Sequence, residues 1–109
     1  ITAEVEEEGA DHQIFVYGSG VTGPAADGGT LVTHAYDDED DNGLPVGLKG
    51  TITTDATGDA ELSVLLRHMP PENDTVLKVD GLAGDFKDGG EGALPGSTDV
   101  DVTFALTVE

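Results

Sequence analysis

Three histidines, His12, His34 and His68, are the side chains here best suited to transition-metal chemistry. A neutral imidazole nitrogen is a common ligand of Zn²⁺ and Cu²⁺. Whether they can act together depends on the strands that carry them. If consecutive strands reverse direction, the strand opening at His12 runs away from one end of the domain, and the next returns to that end at Tyr36, bringing His34 close to it. A third strand leaves again, and a fourth climbs back to finish at Arg67-His68-Met69. His12 continues the alternation of Ile14 and Val16, and His68 that of Ala60, Leu62, Val64 and Leu66, so both belong to inward sets. The pattern therefore predicts a shared end for the histidines, where Zn²⁺ or Cu²⁺ could bind. The plainer reading makes His12 and His68 strand-end residues that hydrogen bond to backbone or carboxylate and bind nothing.

The same end should carry the acidic run Asp37 to Asp41. Asp38-Glu39-Asp40-Asp41-Asn42-Gly43 has the opening of a calcium loop, in which Asp38, Asp40 and Asn42 would present oxygens to a hard cation. The twelfth position of that frame is Lys49 instead of a bidentate Glu, and Pro45 interrupts it. Two readings stand: a turn whose Asn-Gly pair takes positive φ, and the same turn with weak calcium binding.

Other chemistry is absent from the pattern. There is no Cys, which removes thiol nucleophiles, zinc ribbons and disulfide scaffolds. Ser19, Ser63 and Ser97 lie in no nucleophile elbow. Gly18-Ser19-Gly20-Val21-Thr22-Gly23 has the spelling of a dinucleotide loop but lacks the strand–helix context that would make it one. Carboxylates are too abundant for any pair to single itself out as an acid–base couple. The expectation is a protein without enzymatic activity. Asn73-Asp74-Thr75 spells a glycosylation sequon, which carries meaning only in an organism that uses it.

The elements that must position these residues read as strands. Val100, Val102, Phe104, Leu106 and Val108 alternate with polar or small residues from Asp99 to Val108, which predicts Val102 and Phe104 in the core and Asp101 and Thr103 in solvent. Ala60 to Leu66 repeats the alternation, and Leu65 breaks it, so part of the outer face should be covered as well. His12 to Tyr17 and Thr30 to Tyr36 are rich in β-branched and aromatic residues. Lys49 to Thr54 precedes a short Gly-containing loop and predicts a hairpin into the Ala60 strand. Ile1 to Glu7 and Thr75 to Val79 complete the set, with a further edge strand around Leu82 to Phe86 and no helix of useful length. The fold expected is all-β: a single β-sandwich of about seven strands, immunoglobulin-like, over residues 1–109.

The chain has 109 residues, 23 Asp+Glu and four Lys+Arg, for a formal net charge of -19. Such a surface repels a phosphate backbone, so no nucleic acid is expected as partner. It also repels itself unless salt screens it, which predicts either adaptation to high ionic strength, as in a halophile, or an ordinary acidic extracellular domain. No apolar run is long enough to span a membrane as a helix.

Several runs resemble a family. They are Glu6-Glu7-Glu8-Gly9-Ala10-Asp11-His12-Gln13, Asp40 to Leu48, Leu65-Leu66-Arg67-His68 and Gly96 to Phe104. Together they look like the later part of small secreted β-rich lipoproteins of Bacteroidetes, with an acidic-His-Gln motif and a strand ending Arg-His before a Pro-containing loop. The resemblance implies an exported, non-enzymatic domain at the cell surface or in the periplasm, held to a membrane by a lipidated Cys. Measured against that family pattern, the expectation is a sequence that lacks the anchor and the first strand. Two functions follow as expectations. One is a cell-envelope binding module that captures a divalent metal at its His end in service of an outer-membrane transport partner. The other is a structural subunit of a halophile surface layer, filament or capsid, self-assembling by strand addition.

Overall fold

The computed structural model describes residues 9–109, so the expected strand Ile1 to Glu7 lies outside the described residues. Among the described residues six strands form two three-stranded sheets: β1 (His12–Tyr17), β2 (Val21–Thr22), β3 (Val32–Tyr36), β4 (Gly50–Thr54), β5 (Gly58–His68) and β6 (Ser97–Val108). The order is β1-β5-β6 in one sheet and β2-β3-β4 in the other. Among the described residues the protein is thus mostly β, as expected, with two small three-stranded sheets and one helix.

Long antiparallel pairing between β5 and β6 makes the backbone of the first sheet, and β1 flanks β5 on its other side. Even-numbered residues of β1, β5 and, from Val100 onward, β6 share one face. Val16, Leu62 and Leu106 pack there against Val21, Leu31 and Val32 of the second sheet's side, and Leu66 and Val100 against Val46. Odd-numbered residues share the opposite face, where Phe15 and Leu65 are fully buried against Leu82, Ala83 and Phe86. Leu65 breaks the alternation because both faces of this sheet are covered.

What covers the second face is α1 (Leu82–Gly89), at the position expected to hold an edge strand. Its only buried residues, Leu82, Ala83 and Phe86, fit one turn-and-a-bit of a 3.6-residue period. Thr75 to Val79 is not a strand either; only a single bridge joins Glu72 to Thr75. The expected hairpin between the fourth and fifth strands is a crossover between sheets, since β4 pairs with β3 and β5 with β1 and β6. Leu31 captures the crossing chain through its carbonyl, which accepts the Asp55 N–H at 2.7 Å.

One expectation about burial is overturned. Val102 and Phe104 lie on the predicted face, yet they are 40% and 55% exposed. The second sheet is short and its apolar cluster reaches β1 and one end of β5 and β6, near Ala60 and Leu106, while Val46 of the loop before β4 covers Leu66 and Val100, so the middle of β6 stays outside both.

Candidate metal centre

His12 and His68 are direct cross-strand partners at the end of the first sheet. Their rings stack with centroids 4.4 Å apart and planes 8° from parallel. His12 is 5% exposed, sheltered where β1 leaves a short 3₁₀ turn at Gly9–Asp11. The carboxylate of Asp99, on β6 across β5, comes within 3.9 Å of His12 Nε2. One potential ligand atom from each of His12, His68 and Asp99 lies within 4.8 Å of the other two. Two imidazoles and a carboxylate are a donor set that could hold a metal ion. Stacked rings do not aim both lone pairs at one point, so binding would require them to turn about their Cα–Cβ and Cβ–Cγ bonds.

His34 is not part of this group. It sits on β3 opposite Ile52, with its ring edge-on to Tyr36. It is 4% exposed, and its Nδ1 has no hydrogen-bond partner among the described residues. Burial lowers its pKa, partly offset by the charge of Asp37. Neighbouring Tyr36 donates its hydroxyl proton to the Ile14 carbonyl, and desolvation pushes its pKa up to about 12 despite a hydrogen bond from Gln13.

The acidic loop is closed by its own carboxylates. Asp38 accepts the Gly47 N–H at 2.7 Å on one oxygen and those of Leu48 and Lys49 on the other. Asp40 accepts the Asn42 and Leu44 N–H groups on Oδ1, an Asx turn. Its Oδ2 takes the ammonium of Lys78 at 2.8 Å, and both side chains are 1% exposed. Burial raises the Asp40 pKa, but Lys78 and the two amides outweigh it and hold the carboxyl below its usual value. Calcium would have to displace backbone amides at Asp38 and a lysine at Asp40, while Asn42 serves the loop through its backbone. The arrangement is a self-capped turn.

Two functional residues escaped the sequence pattern. Asp99 read as an ordinary outward residue of an alternating strand. Lys78 read as part of the short strand Thr75 to Val79 with no role of its own, although a buried cation among four Lys+Arg residues is a conspicuous use of one. Its ammonium also donates to the Gly9 carbonyl at 2.9 Å, tying the acidic loop to the entry of β1.

Among the described residues no helix is long and apolar enough to cross a membrane. Comparison of the chain with protein-family models, curated proteins and solved structures gave no match.

Proposed function

We propose that this protein is a non-enzymatic binding module of the cell envelope that takes up a divalent transition metal, Zn²⁺ or Cu²⁺, between His12 and His68. The observation that carries this reading is the direct cross-strand pairing of the two imidazoles, with a carboxylate close by. The exported location rests on the resemblance to secreted lipoproteins and on the acidity of the chain. Titration calorimetry with Zn²⁺, in buffer free of chelators, tests the site. One equivalent should bind near neutral pH, weaken in acid as protons compete for the ring nitrogens, and lose at least tenfold in affinity in His68→Ala. Binding that ignores both acid and His68→Ala would mean that surface carboxylates hold the ion, and the reading would fail.

A second reading, self-assembly by strand addition, is favoured by one specific feature. Among the described residues β6 pairs on one side only, and its Val102 and Phe104 are exposed. Exposed apolar edge strands invite pairing with another chain. Sedimentation at rising concentration in high salt should then reveal polymers that Phe104→Lys abolishes. A monomer throughout would dispose of this reading.

A further inference from the structure

We infer that Asp99 is the third ligand of the His12–His68 site and that Arg67 is the residue that positions it, by stabilising a β-bulge. The inference rests on the reading of this end as a metal site and adds how the site is built.

A regular β6 would send Asp99 the wrong way. On this strand Asp101 accepts a hydrogen bond from Tyr17 and Thr103 bonds to Ser63, both on the helix-covered face. Period-2 alternation would place Asp99 on that face too. His12 and His68 are on the other, in line with Ile14 and Leu66. The pairing, however, slips by one residue: Leu66 faces Val100 while Arg67 faces Thr98, so Asp99 is the extra residue. A bulge of this kind re-aims a side chain, and here it brings Asp99 across to His12.

Arg67 holds the slip in place. The residue is 9% exposed, and its Nε and Nη2 donate to the carbonyls of Pro95, Leu94 and Gly96 at 2.9–3.0 Å. Nη1 donates to Thr98 Oγ1 at 2.7 Å, and Glu91 lies 3.5 Å away. The rigid fork therefore grips the segment entering β6 immediately before the bulge. Gly96 makes the approach feasible, with φ of +80° and a Cβ position only 2.1 Å from the His68 carbonyl oxygen. Any side chain there would push β6 away from His68. On a tetrahedral zinc, bonds of about 2.0–2.2 Å put ligand atoms about 3.3–3.6 Å apart. Small rotations of the three side chains span the difference from their present spacing.

Co²⁺, whose visible spectrum reports ligand number and type, tests this on the full chain, with Zn²⁺ competition giving affinities. Saturated wild type should show the intense bands of a low-coordinate nitrogen–oxygen site. Asp99→Ala, at an exposed position, should keep the fold, bind about 10–100-fold more weakly and change the saturated spectrum. Arg67→Lys, which keeps the charge but lacks the fork, should also shift the spectrum at saturation. A variant that is only less stable would recover the wild-type bands. If Arg67→Lys does not fold, Thr98→Val removes one of the grips and should shift the bands in the same direction. A wild-type spectrum for Asp99→Ala overturns the ligand assignment, and one for the folded Arg67 or Thr98 variant overturns the positioning role. Wild type without a Co²⁺ spectrum that His68→Ala removes would instead sink the metal site as a whole.

Discussion

The two faces of the β1-β5-β6 sheet carry different kinds of core. On the helix side, Phe15, Leu65, Met69, Leu82 and Phe86 are nearly inaccessible, and Phe15 stacks on Phe86 with ring centroids 5.3 Å apart. On the side of the second sheet the apolar row is longer in sequence but less covered: Val102 and Phe104 in the middle of β6 are exposed, as is Ile52 of β4. A single eight-residue helix buries its face more completely than a three-stranded sheet does, because α1 lies over the middle of the sheet and the second sheet over one part of it. Alternation tells which residues share a face, but the extent of burial depends on the footprint of the layer above.

The largest expected effect tests that contrast directly. Leu65→Ala or Phe15→Ala should cost on the order of 3–5 kcal/mol, from lost transfer free energy plus the cavity left in a closed core. Phe104→Ala should cost about 1 kcal/mol, since more than half of its surface stays in water already. Denaturant unfolding measures both. A Phe104→Ala cost equal to that of Leu65→Ala would mean that the open face is covered in solution, which is what strand addition requires.

The difference between the faces also explains how much was legible in the sequence. The bounds of β1 and the alternation of β5 and β6 follow from period-2 patterns, which a sheet imposes over its whole length, whereas the shared end of His12 and His68 followed from assuming that consecutive strands reverse direction, although the expected hairpin into β5 is a crossover. Leu65 signalled a second covered face, but not by what. Helix α1 was hidden because Gly84, Gly89 and the flanking Gly81 and Gly90 dilute its period, leaving three apolar residues to carry it. Packing against Phe15 and Leu65 overrides that poor propensity. The crossover from β4 to β5 looks locally like a hairpin loop, since a few Gly, Asp and Thr residues serve either path. Asp99 was misassigned to a face because a bulge breaks parity without leaving any mark in the residue pattern.

A buried ion pair ties the open side to the site. Lys78→Met leaves the Asp40 carboxylate buried without its cation and should destabilise by about 3 kcal/mol. The direction of the Asp40 shift sets the pH dependence. Its folded pKa is depressed, so its contribution is fully present above the usual carboxylate value and is lost as pH falls through the lower folded one. Thermal melts from neutral pH into that range should show wild type losing its advantage over Lys78→Met. A constant gap between the two would mean that Lys78 acts through packing alone.

His34 supplies the next test, on the inner side of the second sheet. Its folded pKa is lowered by burial, so the unfolded chain takes up a proton first. Stability should therefore fall once pH drops below about 6.5, by at most ~1.4 kcal/mol per pH unit, and level off below the folded value. His34→Leu should flatten this part of the stability–pH curve, whereas a curve unchanged by the substitution would assign the acid sensitivity to other groups.

The smallest effect lies at the rim of the helix side, where Tyr17 donates to Asp101 at 2.8 Å. The Tyr17 pKa is raised first by burial, then by the hydrogen bond to Asp101 and by its charge. Asp101→Asn removes the charge while leaving an acceptor, so ultraviolet titration should find the Tyr17 pKa moved back toward its ordinary value without reaching it, because desolvation persists. The stability change should stay within about 0.5 kcal/mol: an exposed hydrogen bond contributes little, and loss of one negative charge from a chain of net charge -19 relieves repulsion. A destabilisation comparable to that of Leu65→Ala would show that the helix-side core extends to β6 through Tyr17. An unmoved tyrosine titration would show that burial alone governs this edge, and that the two faces differ in packing but not in their electrostatics.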